Sequence, residues 1–197
     1  MMIKKLIVLN GPPRCGKDTL ADFLADEFQA SHLKFAGRLK QMTHGLYGVP
    51  MPAAINQFES CKDKPNPSFF GLTPRQAYIA VSETYIKPVH GKSFFGDRLL
   101  EKINQIPKPL FVASDGGLIE ELIPVVEGLG SSNILILMIT RPGCSFDGDS
   151  RSYYPASVLQ ELGVEYEGLL NNGILQGFLD NGQLLSQYWL NRGGTEL

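Results

Sequence analysis

Residues 3–29 hold the pattern that most restricts what this chain can fold into. An apolar run from Ile3 to Leu9 enters "GPPRCGKDT" (residues 11–19), after which Leu20, Phe23, Leu24 and Phe28 recur at helical spacing. The run is short and rich in aliphatic and β-branched residues, as expected of a strand buried on both faces. The later spacing predicts an amphipathic helix from Lys17 to about Gln29. Between them, Gly11 and Gly16 allow backbone torsions closed to other residues. The loop amides and the helix N-terminus then face one spot that favours anionic oxygens. The spacing matches the phosphate-binding pattern G-x-x-x-x-G-K-[ST], except that Asp18 follows Lys17 and the hydroxyl comes one residue late, at Thr19. Residues Gly11, Arg14, Cys15, Gly16, Lys17, Asp18 and Thr19 are therefore the expected binders of ATP phosphate. Asp18 suits the first helical turn either as a cap or as the holder of a Mg²⁺-bound water.

Further along, strand-like and helix-like stretches alternate. His32–Ala36, Pro109–Asp115, Asn133–Arg141 and Val164–Leu170 read as strands. Leu39, Met42 and Leu46 mark a short helix, and Leu118, Ile119, Leu122, Val125 and Val126 mark another that Pro124 should kink or end. The alternation predicts an α/β fold with an about five-stranded, mostly parallel sheet covered by helices on both faces. Two stretches interrupt it. Residues 45–107 open with Pro50, Pro52, Pro65, Pro67 and Pro74 and then become helical, and "RPGCSFDGDSRSYYP" follows the fourth strand. Excursions of this length in a compact α/β domain are usually functional. They are expected at the carboxyl edge of the sheet, where ligands bind. The chain thus divides into one domain with a core (1–44, 108–141 and 157–197), an acceptor-binding helical insertion (45–107) and a lid (142–156).

Composition narrows the partners. With 197 residues, 43% of them hydrophobic, the chain can build one sizeable core. A formal net charge of −2 and a pI of about 5.9 give no broad grip on nucleic acid or membrane, so any phosphate binding is local. No apolar run approaches membrane-spanning length, and neither a span nor a signal peptide is expected. The odd set Cys15, Cys61 and Cys144 fits reduced thiols of the cytoplasm better than disulfides or zinc. Cys15 reads as a filler position or, beside Lys17, as a thiol of lowered pKa. The histidines His32, His44 and His90 lack metal spacing, and no Asp-His or Ser-His arrangement stands out.

In order along the chain come "LIVLNGPPRCGKDTLADFL", "FAGRLK" (Phe35–Lys40), "TPRQA" (Thr73–Ala77), "LFVASD" ending at Asp115, "ITRPG" with Arg141, and "LLNNG" (Leu169–Gly173). This set resembles the bacteriophage-type deoxynucleoside monophosphate kinases within the P-loop nucleotide kinases. The resemblance implies the P-loop kinase fold and Mg²⁺ with ATP as donor. Its acceptor would be a deoxynucleoside monophosphate, and its place the cytoplasm (the host's, if phage-encoded). It implies catalytic Lys17, Arg141 and Arg151, acceptor-binding Arg38, Arg75, Arg98 and Asp115, and adenine-binding Asn171 and Asn172. Asp115 resembles the residue that holds a Mg²⁺ water, and a homodimer stays open. One departure is Gly117, where the family commonly has an arginine.

The chemistry agrees without the name. Phosphoryl transfer asks mainly for positioning and for positive charge around a loose, anionic transition state. A nucleoside monophosphate has a second pKa of about 6 and is already a nucleophile at neutral pH, so it needs no general base. It needs cations for two anionic partners, and the arginines above are the candidates. An alcohol acceptor would instead require a carboxylate base.

Overall fold

The computed structural model describes residues 2–50 and 57–192; Pro52 of the insertion lies outside them. Five strands form one wholly parallel sheet: β1 (Lys5–Asn10), β2 (Ser31–Leu33), β3 (Leu110–Gly116), β4 (Ile134–Thr140) and β5 (Glu165–Leu170), in the order β2-β3-β1-β4-β5. The period of two in β1 assigns its side chains to two cores. Leu6 and Val8 join Phe111, Ile134 and Ile136 on one face, whereas Ile7 and Leu9 join Val112, Leu135 and Leu137 on the other.

The second of these faces is covered by α1 (Lys17–Glu27) through Leu20 and Leu24 and by the C-terminal helix through Phe178 and Trp189. The opposite face is covered by the helices Phe94–Gln105, Ile119–Leu129 and Ala156–Glu161, through Leu99, Ile103, Leu122, Val125 and Leu159. With α2 (Gly37–Leu46), α3 (Pro74–Val81) and α4 (Lys87–His90) preceding them, these three are α5, α6 and α7, and the C-terminal helix Leu175–Arg192 is α8. Helix α6 runs on through Pro124 to Leu129, because Val125 and Val126 beyond the proline are packed in the core.

Two expected boundaries shift for physical reasons. Strand β2 stops at Leu33 and not at Ala36, because the Asp115 carboxylate accepts the amides of Phe35 (2.8 Å) and Ala36 (3.0 Å) and turns the chain. Helix α5, at the end of the 45–107 excursion, packs on α6 and belongs to the sheet's cover. The insertion proper has its own small core of Val49, Phe58, Phe69 and Ala77. His44 sits among the rings of Phe58, Phe69 and Tyr78, and burial lowers its pKa, with Lys40 adding to the effect. Leu46 and Tyr85, which fit the helical spacing, are exposed.

From α3 the chain passes directly into a π-helical turn, Ser82–Ile86, before α4. Such turns concentrate at functional sites. No helix among the described residues is long and apolar enough to cross a membrane.

Candidate active site

The loop between β1 and α1 is built around one backbone requirement. Gly16, the residue before α1, has φ +105°, and a Cβ there would lie 2.8 Å from the Asn171 amide nitrogen and 3.1 Å from the Phe178 ring. Arg14 also adopts a left-handed conformation, at φ 65°. The Lys17 ammonium turns back into this loop and donates to the carbonyls of Gly11 and Pro12, both at 2.6 Å. Lys17 is buried, and that desolvation lowers its pKa. A buried ammonium held only by neutral groups, the two carbonyls and the Cys15 sulfur at 3.7 Å, is electrostatically unsatisfied, which fits an anion such as a nucleotide phosphate.

Cys15 is fully enclosed, and burial pushes its thiol up, opposed by Lys17. It is the filler of the two readings; the lowered pKa is not found, since desolvation outweighs the neighbouring charge. Asn171 is buried as well. Its amide donates to the Cys15 carbonyl and its oxygen accepts from Gly173, so this side chain braces the loop. Asn172, the exposed partner, accepts from Ile174.

Asp18 is the end of a chain of polar contacts. Ser114 donates to its Oδ1 at 2.6 Å and Lys34 lies 2.8 Å from the same atom. His32 Nε2 lies 2.7 Å from the Ser114 hydroxyl, and its Nδ1 lies 2.6 Å from Asp22 Oδ1. The fold thus assembles an Asp-His-Ser arrangement that the sequence does not display, because His32 and Ser114 stand 82 positions apart. It is not a nucleophilic triad: Ser114 is 1% exposed and gives its hydrogen to a carboxylate. Burial would raise the Asp18 pKa, but the bonds from Lys34 and Ser114 prevail and hold it at about 2. Asp18 is thus a fixed anion and a poor proton acceptor.

A cleft of about 480 Å³ opens over the loop and runs to the insertion. Arg14, Lys17, Asp18, Thr19, Arg75, Asp115, Arg141 and Arg151 all reach it. Arg38 and Arg98 do not. They line a neighbouring hollow of about 790 Å³, where Arg38 donates to Gln41 at 3.2 Å and Arg98 pairs with Glu101 at 2.9 Å. The expected acceptor set is therefore divided, with Arg75 alone of the three arginines facing the loop. Arg75 stands in the first turn of α3, which begins with a capping box from Thr73 and Gln76. It bonds Asp63 at 2.6 Å and lies 3.9 Å from Asp149.

Asp149 links the two sides of the cleft. It takes a two-pronged contact from Arg151, at 2.9 and 2.8 Å, and its side chain is almost enclosed. Burial works against its ionisation, yet Arg151 holds the pKa at about 2. Arg141 rests its guanidinium on the Arg14 carbonyl at 3.3 Å. The far end of segment 142–156 is tied into the body: Tyr154 is buried, donates its amide to Asn10 and accepts the Gly117 amide at 2.8 Å. The segment is exposed over much of its length, with Tyr154 its one buried residue, packed in the core with Leu6 and Val8. Gly117 lies beneath Arg151, and a Cβ there would come 2.7 Å from the Arg151 Cβ. Segment 142–156 thus fills the space a side chain at position 117 would need.

Both oxygens of Asp115 accept backbone amides, so this carboxylate anchors the β2–α2 turn while facing the cleft. Glu121, in the first turn of α6, also reaches the cleft and is 8% exposed. Burial, reinforced by the Asp115 charge, pushes its pKa up to about 8. Neither Glu121 nor Asp149 was signalled by the sequence, since acidic residues in a helix's first turn and in a polar loop are ordinary. Among the described residues no cluster of His, Cys, Asp and Glu could hold a metal by itself.

No protein-family model and no curated protein matches the sequence. Solved structures match over nearly the whole chain. A candidate kinase from Chloroflexus aurantiacus is similar at a TM-score of 0.52 and 15% identity, covering 98% of this chain and 100% of its own. Shikimate kinase from Acinetobacter baumannii gives 0.48 at 17% identity, with 96% and 94% covered. A gluconokinase from Sinorhizobium meliloti 1021 gives 0.46 at 11% identity, with 97% of each chain covered. The parallel sheet, its helical cover and the loop after β1 are those of the P-loop kinase fold.

Proposed function

We propose that the protein is an ATP-dependent kinase that transfers a phosphoryl group to a deoxynucleoside monophosphate, giving the diphosphate for DNA synthesis. The observation that carries this reading is one cleft that brings together Lys17 of the loop, Arg75 of the insertion, Arg141 and Arg151. Two anionic substrates meeting head to head require that layout. The loop amides and Lys17 bind the donor phosphates, and Arg75 takes the acceptor phosphate in a charge-assisted contact. The donor adenine lies beside Asn172 and the 171–175 turn, which Asn171 holds against the loop. Arg151 leaves Asp149 for the transferring group, where it spreads developing charge and excludes water. A Mg²⁺ held by Thr19 and, through water, by Asp18 would neutralise the donor phosphates. The setting is cytoplasmic.

A second reading has one observation in its favour. Glu121 is a cleft carboxyl with a pKa of about 8, suited to take a proton from an alcohol acceptor. Coupled ADP release measured over a panel of nucleoside monophosphates and of small alcohols decides between them. Turnover with deoxynucleoside monophosphates supports the first reading, turnover confined to alcohols the second, and turnover with neither overturns both.

A further inference from the structure

The contacts Asp22–His32–Ser114–Asp18 begin at the outer face of α1 and end one residue beyond Lys17. Each of the three, at 2.6 to 2.7 Å, needs one hydrogen between its heavy atoms. The hydroxyl of Ser114 has a single hydrogen and gives it to Asp18. With that hydrogen committed to Asp18, the one between His32 and Ser114 comes from Nε2. Its donation occupies a lone pair of the serine oxygen, which leaves the hydroxyl aimed at Asp18.

We propose that His32 is a positioning residue for the phosphate-binding loop: through Ser114 it fixes the carboxylate of Asp18 in the first turn of α1. The effect on nucleotide rests on the kinase reading above; the fixing of Asp18 does not. Without His32, the serine hydroxyl is free to rotate and Asp18 keeps only Lys34, a flexible side chain on the adjacent turn. Asp18 follows Lys17 directly, so looseness at its carboxylate reaches the atoms beside the donor phosphates and their metal. In a reaction that depends on placement, such looseness is felt at the metal-bound nucleotide and not at the acceptor.

The experiment has two arms. Without nucleotide and at neutral pH, three-bond NMR couplings report the χ1 rotamer of Asp18. The wild type should show a single rotamer, held by Ser114 and Lys34. His32→Ala and Ser114→Ala should both show averaged couplings, and the double variant no more averaging than Ser114→Ala alone, because His32 acts only through the serine. His32→Gln, which can still donate to Ser114, restores the single rotamer. With nucleotide, calorimetry compares ATP binding with and without Mg²⁺. His32→Ala loses about tenfold or more of the Mg²⁺-dependent affinity, while the metal-free affinity and the KM for the acceptor stay put. A single Asp18 rotamer kept in both single variants, or further averaging in the double variant, overturns the proposal. If the wild type binds no ATP at all, the kinase reading falls, and the Asp18 couplings still decide the role of His32.

Discussion

Asn171 holds the phosphate loop from 156 positions away: its amide donates to the Cys15 carbonyl at 2.9 Å, directly before Gly16. The contact joins the turn after β5 to the loop after β1, two sites that the sheet order separates by β4. Asn171→Ala leaves a buried carbonyl unpaired, a loss of about 1–3 kcal/mol in stability. The loop it releases should also bind ATP more weakly. Denaturant unfolding and ATP titration on the same variant check this, and an unchanged ATP affinity would leave Asn171 a purely structural residue.

Lys17→Ala should lower kcat by several powers of ten while leaving the fold intact. The ammonium touches only groups of its own loop, the Gly11 and Pro12 carbonyls and the Cys15 sulfur, so its removal relieves a buried charge and takes nothing from the sheet's core. Single-turnover transfer and a thermal melt are the measurements. Near-normal transfer would remove the loop from the mechanism.

The sequence and the structure agree where chemistry is local. Residues 3–29 specify β1, the loop and α1, since strand, turn and helix signals lie side by side. The remaining strands follow from apolar runs that alternate with helical spacing. What was not legible depends on partners far apart in sequence. Asp115 looked like a metal-water holder from its place at a strand end, but its oxygens take the Phe35 and Ala36 amides, 80 and 79 positions away. Arg38, Arg75 and Arg98 look alike as isolated arginines, and only the packing of α2, α3 and α5 assigns them to two different hollows. His32 and Ser114 each look like an ordinary strand residue until β2 is placed beside β3.

That division of the arginines gives a direct comparison. Arg75→Ala should raise the KM for the acceptor by an order of magnitude or more with little change for ATP, since one charge-assisted contact is lost on one side. Arg98→Ala, which removes an exposed pair with Glu101, should change neither by more than a factor of about two. Initial-rate kinetics with each substrate varied in turn test both. Equal effects of the two substitutions would mean that the acceptor extends into the neighbouring hollow.

An arginine placed at position 117 should not gain a contact in the cleft. Gly117 sits at φ +153° with the Arg151 Cβ 2.7 Å and the Ser152 carbonyl 3.2 Å from where a Cβ would lie. Gly117→Arg must therefore push Arg151 aside, and kcat should fall while ATP affinity holds. Gly117→Ala should show a weaker form of the same loss. Tighter acceptor binding with full kcat in Gly117→Arg would show that the lid can retreat without cost.

Glu121 makes stability depend on pH in a direction that can be worked out. Its pKa rises from 4.5 to about 8 on folding, chiefly through burial and secondarily through the charge of Asp115, with Lys87 and Arg151 opposing. The folded protein therefore holds this proton more tightly than the unfolded chain. The stabilisation is fully present below about pH 4.5 and is lost as pH rises through the folded value near 8. Within that window the group alone tilts stability by at most about 1.4 kcal/mol per pH unit. Asp18 and Asp149, held at about 2, act with the opposite sign, and only on the acid side of the window. Glu121→Gln keeps the shape and the neutral form, so it should flatten the decline measured by urea unfolding between pH 5 and 8. The same variant separates the two readings of the cleft. A phosphate acceptor needs no base, so the enzyme should keep kcat within about tenfold for a deoxynucleoside monophosphate, less than the 10²–10⁴ that removal of a general base costs. For an alcohol acceptor the loss should reach that range, and a fall of that size with a nucleoside monophosphate would contradict the mechanism proposed here.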